Sequence, residues 1–149
     1  MYFTRTKSKG FTLVELLVVI SIIVLLSSFA VVTIKYYRDK AKDARLEASL
    51  SQIRSIAAML YTDTHSYETL CKEDGTLNTE GEGDVYQQIK VIKSEIEKFN
   101  ENEDIVCYSN ENSFCVSSPA KTVEGFCVDS TGYVGDSLTA CDESNSICH

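Results

Sequence analysis

Lys9-Gly10-Phe11-Thr12-Leu13-Val14-Glu15 (KGFTLVE) leads into a run of 24 residues, Phe11 to Ile34, in which Glu15 is the only charged side chain. At about 1.5 Å per residue, a helix of that length spans the roughly 30 Å core of a bilayer. The ten residues before it carry Arg5, Lys7 and Lys9, no acid, and end in Gly10. A carboxylate placed there costs less than the about 2.5–3.5 kcal/mol assigned to the bilayer centre, yet it calls for a partner. The sequence offers no obvious one. A cleaved secretory signal has about 7–15 apolar residues followed by small ones at the cut. This run is too long, and Ser28-Phe29-Ala30 fits such a cut poorly.

Between Phe11 and Asp74 there is neither glycine nor proline, so the helix has no sequence reason to stop at a membrane surface. Leu46, Leu50, Ile53, Ala57 and Leu60 then recur at spacings of four and three, with Lys42, Asp43, Glu47 and Arg54 among the intervening polar positions. That period predicts a half-buried continuation of the same helix to about Tyr61, with a head packed along one side.

Thr62 to Asp84, with Gly75, Gly81 and Gly83, reads as a loop. Asp84 is the expected N-cap of a second helix whose stripe is Val85, Ile89, Ile92, Ile96 and Phe99. Beyond Asn102 the pattern shortens to alternation and predicts strands at Asp104 to Ser109, Ser113 to Ser118, Gly125 to Ser130 and Gly132 to Val134. The repeated triplets Phe114-Cys115-Val116 and Phe126-Cys127-Val128 point to neighbouring antiparallel strands. The predicted class is α+β, a long helix against a small antiparallel meander.

Six cysteines, Cys71, Cys107, Cys115, Cys127, Cys141 and Cys148, follow the apolar run. Their even number in a small domain implies disulfides outside the cytosol, and the absence of CxxC argues against zinc or thioredoxin-type chemistry. Six cysteines allow 15 connectivities. Cys141 and Cys148 bracket a short polar tail and are expected to join as a terminal clasp, leaving the other four open. Lys and Arg near the ends of the apolar run favour an inward head, five after it against three before it, but the cysteines outweigh that count.

From Thr62 onward there are five lysines and eighteen acids, which excludes an ordinary nucleic-acid binder. The stem from Lys35 to Arg54 holds six bases against three acids, a charge that suits the acidic heads of neighbouring copies. Tyr36 and Tyr37 read as an interfacial belt. No catalytic constellation surrounds His65 or His149, so no enzyme activity and no cofactor are expected. Glu80, Glu82 and Asp84, following Glu73, Asp74 and Asn78, could supply oxygen ligands to calcium, although the spacing is not that of an EF-hand. Solvated surface is the ordinary role of such a cluster.

KGFTLVE followed by Leu16-Leu17-Val18-Val19-Ile20 closely resembles the class III signal of type IV prepilins and type II secretion pseudopilins. The likeness covers roughly the first 35 residues. It implies that a prepilin peptidase cuts between Gly10 and Phe11 and methylates the new Phe11 amine, leaving 139 of the 149 residues. It implies further that Glu15 attracts the Phe11 amine of a neighbouring subunit during assembly. The chain departs from the family in one respect: Val31-Val32-Thr33 stands where a helix-breaking Pro or Gly is often found.

The expected organisation is a leader over 1–10, a transmembrane and assembly helix over 11–34, its amphipathic continuation over 35–62 and a disulfide-containing head over 63–149. The implied partners are prepilin peptidase, other pilin subunits, the inner-membrane assembly platform and, before assembly, membrane lipid, with no nucleic acid. The implied location is a single-pass inner-membrane protein with an extracytoplasmic head, then a periplasmic or extracellular filament. Major pilin, minor pilin and pseudopilin all fit. The alternatives are a membrane-tethered minor pilin that binds calcium, DNA or a surface, and a plain anchored secreted domain.

Overall fold

A computed structural model describes residues 10–101, 103–142 and 147–148, without the side chains of 29–32. The leader bases Arg5, Lys7 and Lys9, and His149, lie outside the described residues. The chain forms two compact units, one ending at Tyr37 and the other starting at Arg38.

Helix α1 runs from Leu13 to Thr64, 52 residues, as the lack of Gly and Pro predicts. Its end is set by His65, whose φ of 57° lies in the left-handed region, and whose N–H returns to the Tyr61 carbonyl at 2.8 Å. In the first unit every residue from 11 to 28 is exposed.

The second unit contains the rest of α1, helix α2 (Asp84–Phe99) and strands β1 (Val106–Ser109), β2 (Phe114–Pro119), β3 (Gly125–Asp129) and β4 (Val134–Asp136). The strands form an antiparallel meander in the order β1-β2-β3-β4. The architecture is thus the expected α+β one. Leu46, Leu50, Ile53, Ala57 and Leu60 are all buried, joined by Ile56, in one cluster with Ile89, Ile92 and Ile96 of α2 and with Phe114, Val116, Phe126 and Val128 of the sheet.

The two Phe-Cys-Val triplets do lie on neighbouring strands. Pairing Val116 with Val128 puts both valines on the helix side, and the pairs Cys115 with Asp129 and Ser117 with Cys127 put both cysteines on the other side. Cys107 pairs with Val116 and so also faces the helices, where it is bonded to Cys71. That bond ties down the 65–83 loop, which is less polar inside than its composition suggests: Leu70 and Leu77 are buried, and Leu77 pairs with Cys71 in a short antiparallel bridge. Gly75 turns this loop with φ of 80°, and its carbonyl accepts the Cys107 N–H at 2.8 Å.

Four expectations need correction. Cys141 and Cys148 do not join: Cys141 bonds Cys115 and Cys148 bonds Cys127. The far face of β2 and β3 would otherwise lie open, and the tail closes it, its N–H groups at 141 and 148 donating to Ser117 Oγ at 3.0 Å and Asp129 Oδ2 at 2.8 Å. Asp84 is the first residue of α2 and not its cap; Gly83, with φ of 112°, holds the cap position without any side-chain bond. The last strand starts at Val134 and not Gly132, because Asp129 Oδ1 accepts the N–H groups of Thr131 and Tyr133 and holds 129–133 in a turn. The first begins at Val106, two residues later than the alternation suggests.

Asp43, read from sequence as one of the polar positions between the apolar ones, is buried. Its Oδ1 accepts the Lys121 N–H at 2.8 Å, and its Oδ2 accepts the Thr122 N–H at 2.7 Å and the Thr122 hydroxyl. The loop joining β2 to β3 is therefore anchored to α1. Beside it, Glu101 takes Lys42 at 2.9 Å and Lys121 at 3.4 Å. The Lys42 and Lys121 hydrogen bonds hold the Glu101 carboxyl below the usual carboxylate range, so its contribution is present at neutral pH and fades as pH falls through the lowered value.

Asp43→Ala strips three donors of their acceptor and is expected to cost about 2–3 kcal/mol of head stability. Thr122→Val removes only the hydroxyl bond and is expected to cost less; the shift in urea midpoint of the full chain in detergent measures both.

Candidate functional site

The site implied by the sequence is the start of α1. Gly10 belongs to no helix or strand and is exposed, and a Cβ added to it would meet nothing within 4 Å. Nothing in the fold of the described residues therefore demands glycine there. The Gly10–Phe11 peptide bond sits in an open segment just ahead of the helix, and Phe11 is 74% exposed.

Thr12 and Glu15 are bound to each other. The Thr12 hydroxyl accepts the Glu15 N–H at 3.2 Å, while Glu15 Oε2 accepts the Thr12 N–H at 2.9 Å and the Thr12 hydroxyl at 2.7 Å. This reciprocal arrangement is a capping box, Thr-x-x-Glu, in which two of the helix's orphan N–H groups gain acceptors. It corrects the view of Glu15 as an acid without a partner in the uncut chain. The signal was legible, since Thr12 precedes Glu15 by three residues at the head of an apolar run.

Around and beyond the box, thirteen large apolar side chains from Phe11 to Leu26 are exposed. Among the described residues α1 is the one helix long and apolar enough to cross a membrane. Residues 5–31 match the family model described as the prokaryotic N-terminal methylation motif. The chain carries a prepilin-type cleavage and methylation signal. The motif takes in Gly10, Phe11, the whole capping box and most of the apolar run. No curated protein and no solved structure matches the chain.

The other sequence candidates are scattered. Glu80 pairs with Lys72 at 2.8 Å, Asp84 opens α2, and Glu82 is exposed. Asp74 takes the Thr76 hydroxyl at 2.6 Å and the Thr76 N–H at 3.0 Å, and these bonds hold its carboxyl below the usual range. Among the described residues the one close group of potential metal ligands is Cys115, Cys127 and Cys141, all engaged in disulfides. Of the stem bases, Lys42 serves Glu101, Arg45 lies 5.5 Å over the Phe99 ring and Arg54 donates to the Gly132 carbonyl at 2.7 Å, all within the head. Lys35, Arg38 and Lys40 are exposed, as are Tyr36 and Tyr37, whose rings meet edge to face at 5.8 Å.

Thr12→Ala removes the hydroxyl half of the capping box. Amide exchange at Leu13 to Glu15 is expected to rise by about fivefold, the usual effect of losing a Thr N-cap, with residues 40–60 of the same helix unchanged; hydrogen exchange read by mass spectrometry checks it.

Proposed function

We propose that the chain is a subunit of a type IV pilus-like or type II secretion pseudopilus filament, cut between Gly10 and Phe11 by prepilin peptidase and methylated on the Phe11 amine. The observation that carries this reading is an exposed apolar helix that begins inside the methylation motif and fills most of it. Covering thirteen large apolar side chains is favourable by something on the order of 20–40 kcal/mol. That surface needs lipid first and neighbouring helices afterwards. The subunit is thus held as a single-pass membrane protein, and three disulfides suit a head outside the cytosol. The assembly platform moves it from lipid into the filament.

The capping box refines the role of Glu15. Both of its Thr12 bonds fall on Oε2, so the carboxylate is ordered before any cut is made. Cleavage then creates a cationic amine on the residue next to Thr12. In a filament core of low dielectric, an ordered carboxylate and an amine from a neighbour attract strongly, and either one alone is penalised. The role is structural, and the chain is the substrate of the peptidase.

Mass spectrometry of the mature protein is expected to show a chain beginning at N-methylated Phe11, and an intact Met1 end would refute the processing. Glu15→Ala is expected to leave membrane insertion unchanged and to lower incorporation into filaments by about tenfold or more. Normal assembly of that variant would remove the pairing role.

A further inference from the structure

At the end of the sheet where β2 turns into β3, a groove of about 110 Å³ opens between the strand ends and the loop after β4. Its lining includes the apolar Val106, Pro119, Phe126 and Leu138, and two exposed carboxylates, Asp104 and Glu124. One wall is fixed by Ser137, whose N–H donates to the Gly125 carbonyl at 2.9 Å and whose hydroxyl donates to the Thr139 carbonyl at 2.7 Å. Neither Asp104 nor Glu124 has an ion pair among the described residues. Apolar surface beside unpaired acids suits an amphipathic cation, and an arginine fits best: its methylenes cover the apolar part while its guanidinium meets carboxylate.

Contacts with α1 fix the level of the groove. The loop joining β2 to β3 is held by Asp43, which accepts the Lys121 and Thr122 N–H groups, whereas the opposite end of the sheet is held by Arg54 through the Gly132 carbonyl. At about 100° per residue, Asp43 stands roughly 60° to one side of Leu46 and Arg38 roughly 80° to the other. Lys42 and Arg45 share the side of Arg38, but they are taken by Glu101 and Phe99 of the same chain. Arg38 is exposed and has no ion pair among the described residues.

We propose that the partner of this groove is a second copy of the chain, and that Arg38 of that copy is its occupant. The proposal rests on the filament reading and on the pairing of Glu15 with an incoming Phe11 amine. The Glu15 carboxylate reaches back to the Thr12 N–H, so that amine stands level with positions 12–15. In two α1 helices running side by side, each residue of the incoming copy is then level with one about one to four positions further along the first, an advance of roughly 2–6 Å. Its Arg38 comes level with 39–42, next to Asp43 and the groove. The flanks match too. Parallel copies in a head-to-tail array present opposite sides to each other, so the Asp43 side of one meets the Arg38 side of the next, and such a contact repeats without closing. Charge supports the same pairing, since the base meets a head with five lysines and eighteen acids from Thr62 onward.

The test uses filaments of the Arg38→Lys chain, which keep the charge and offer an amine at position 38 to a zero-length carbodiimide. Isotopically light and heavy chains are assembled together, and the cross-linked peptides are read by mass spectrometry. The expected product is an amide from position 38 to Asp104 or Glu124 that joins light to heavy chains and is absent from the chain held in detergent. Lys42–Glu101, at 2.9 Å, links in both samples as the reference. The reference link alone, a link from position 38 to any other carboxylate, or the same link in detergent would overturn the contact. In a second measurement, Arg38→Glu is expected to lower filament yield by about tenfold, with the urea midpoint of the head unchanged, and adding Asp104→Lys with Glu124→Lys is expected to restore it. Full yield from Arg38→Glu, or no restoration, would overturn the contact and leave the filament reading standing. A parent chain that forms no filaments would overturn both.

Discussion

Leu46, Leu50, Ile53, Ile56, Ala57 and Leu60 make one side of α1 the surface on which the head is built. The isoleucines of α2 and the inward residues of β2 and β3 all meet that stripe in a single cluster. A sheet of four short strands buries little by itself, so one face depends on the helix and the other on the tail. Strand β2 is consequently buried on both faces over Phe114 to Ser118, although it comes from an antiparallel meander, where one solvated face is usual.

The parts that could be read from sequence are those set by local periodicity. The apolar spacing along α1, the stripe of α2 and the paired Phe-Cys-Val triplets each encode one side of one element, and each is placed as the pattern implies. Asp43 could not be read in this way. Its position among polar residues looks solvated until a loop almost eighty residues later supplies three donors. The cysteine pairing was hidden for the same reason. Proximity in sequence favoured Cys141 with Cys148, whereas the need to cover a sheet face selected partners 26 and 21 residues away. The capping box is a different case, for Thr12 and Glu15 stand in plain order, and it is overlooked when the glutamate is considered only as a charge in an apolar run.

Charge follows the same division between local and distant. Six bases in the stem suggest a surface offered to other molecules, yet Lys42, Arg45 and Arg54 are turned to Glu101, Phe99 and the Gly132 carbonyl of the same chain. They help hold the α2–β1 turn and the 129–133 turn against α1. The exposed bases Lys35, Arg38 and Lys40 stand closer to the apolar run, beside two tyrosines, in the composition usual where a helix leaves a membrane.

The alternation of β2 and β3 also gives the two outer disulfides an error-checking property. Sliding one strand past the other by a single residue would move its cysteine to the helix side, and a Phe or Val would face the tail in its place. Neither Cys141 nor Cys148 could then reach its sulfur. Closure of both bonds thus verifies the parity of the register across β2 and β3, and a head with a shifted strand is marked by thiols that find no mate.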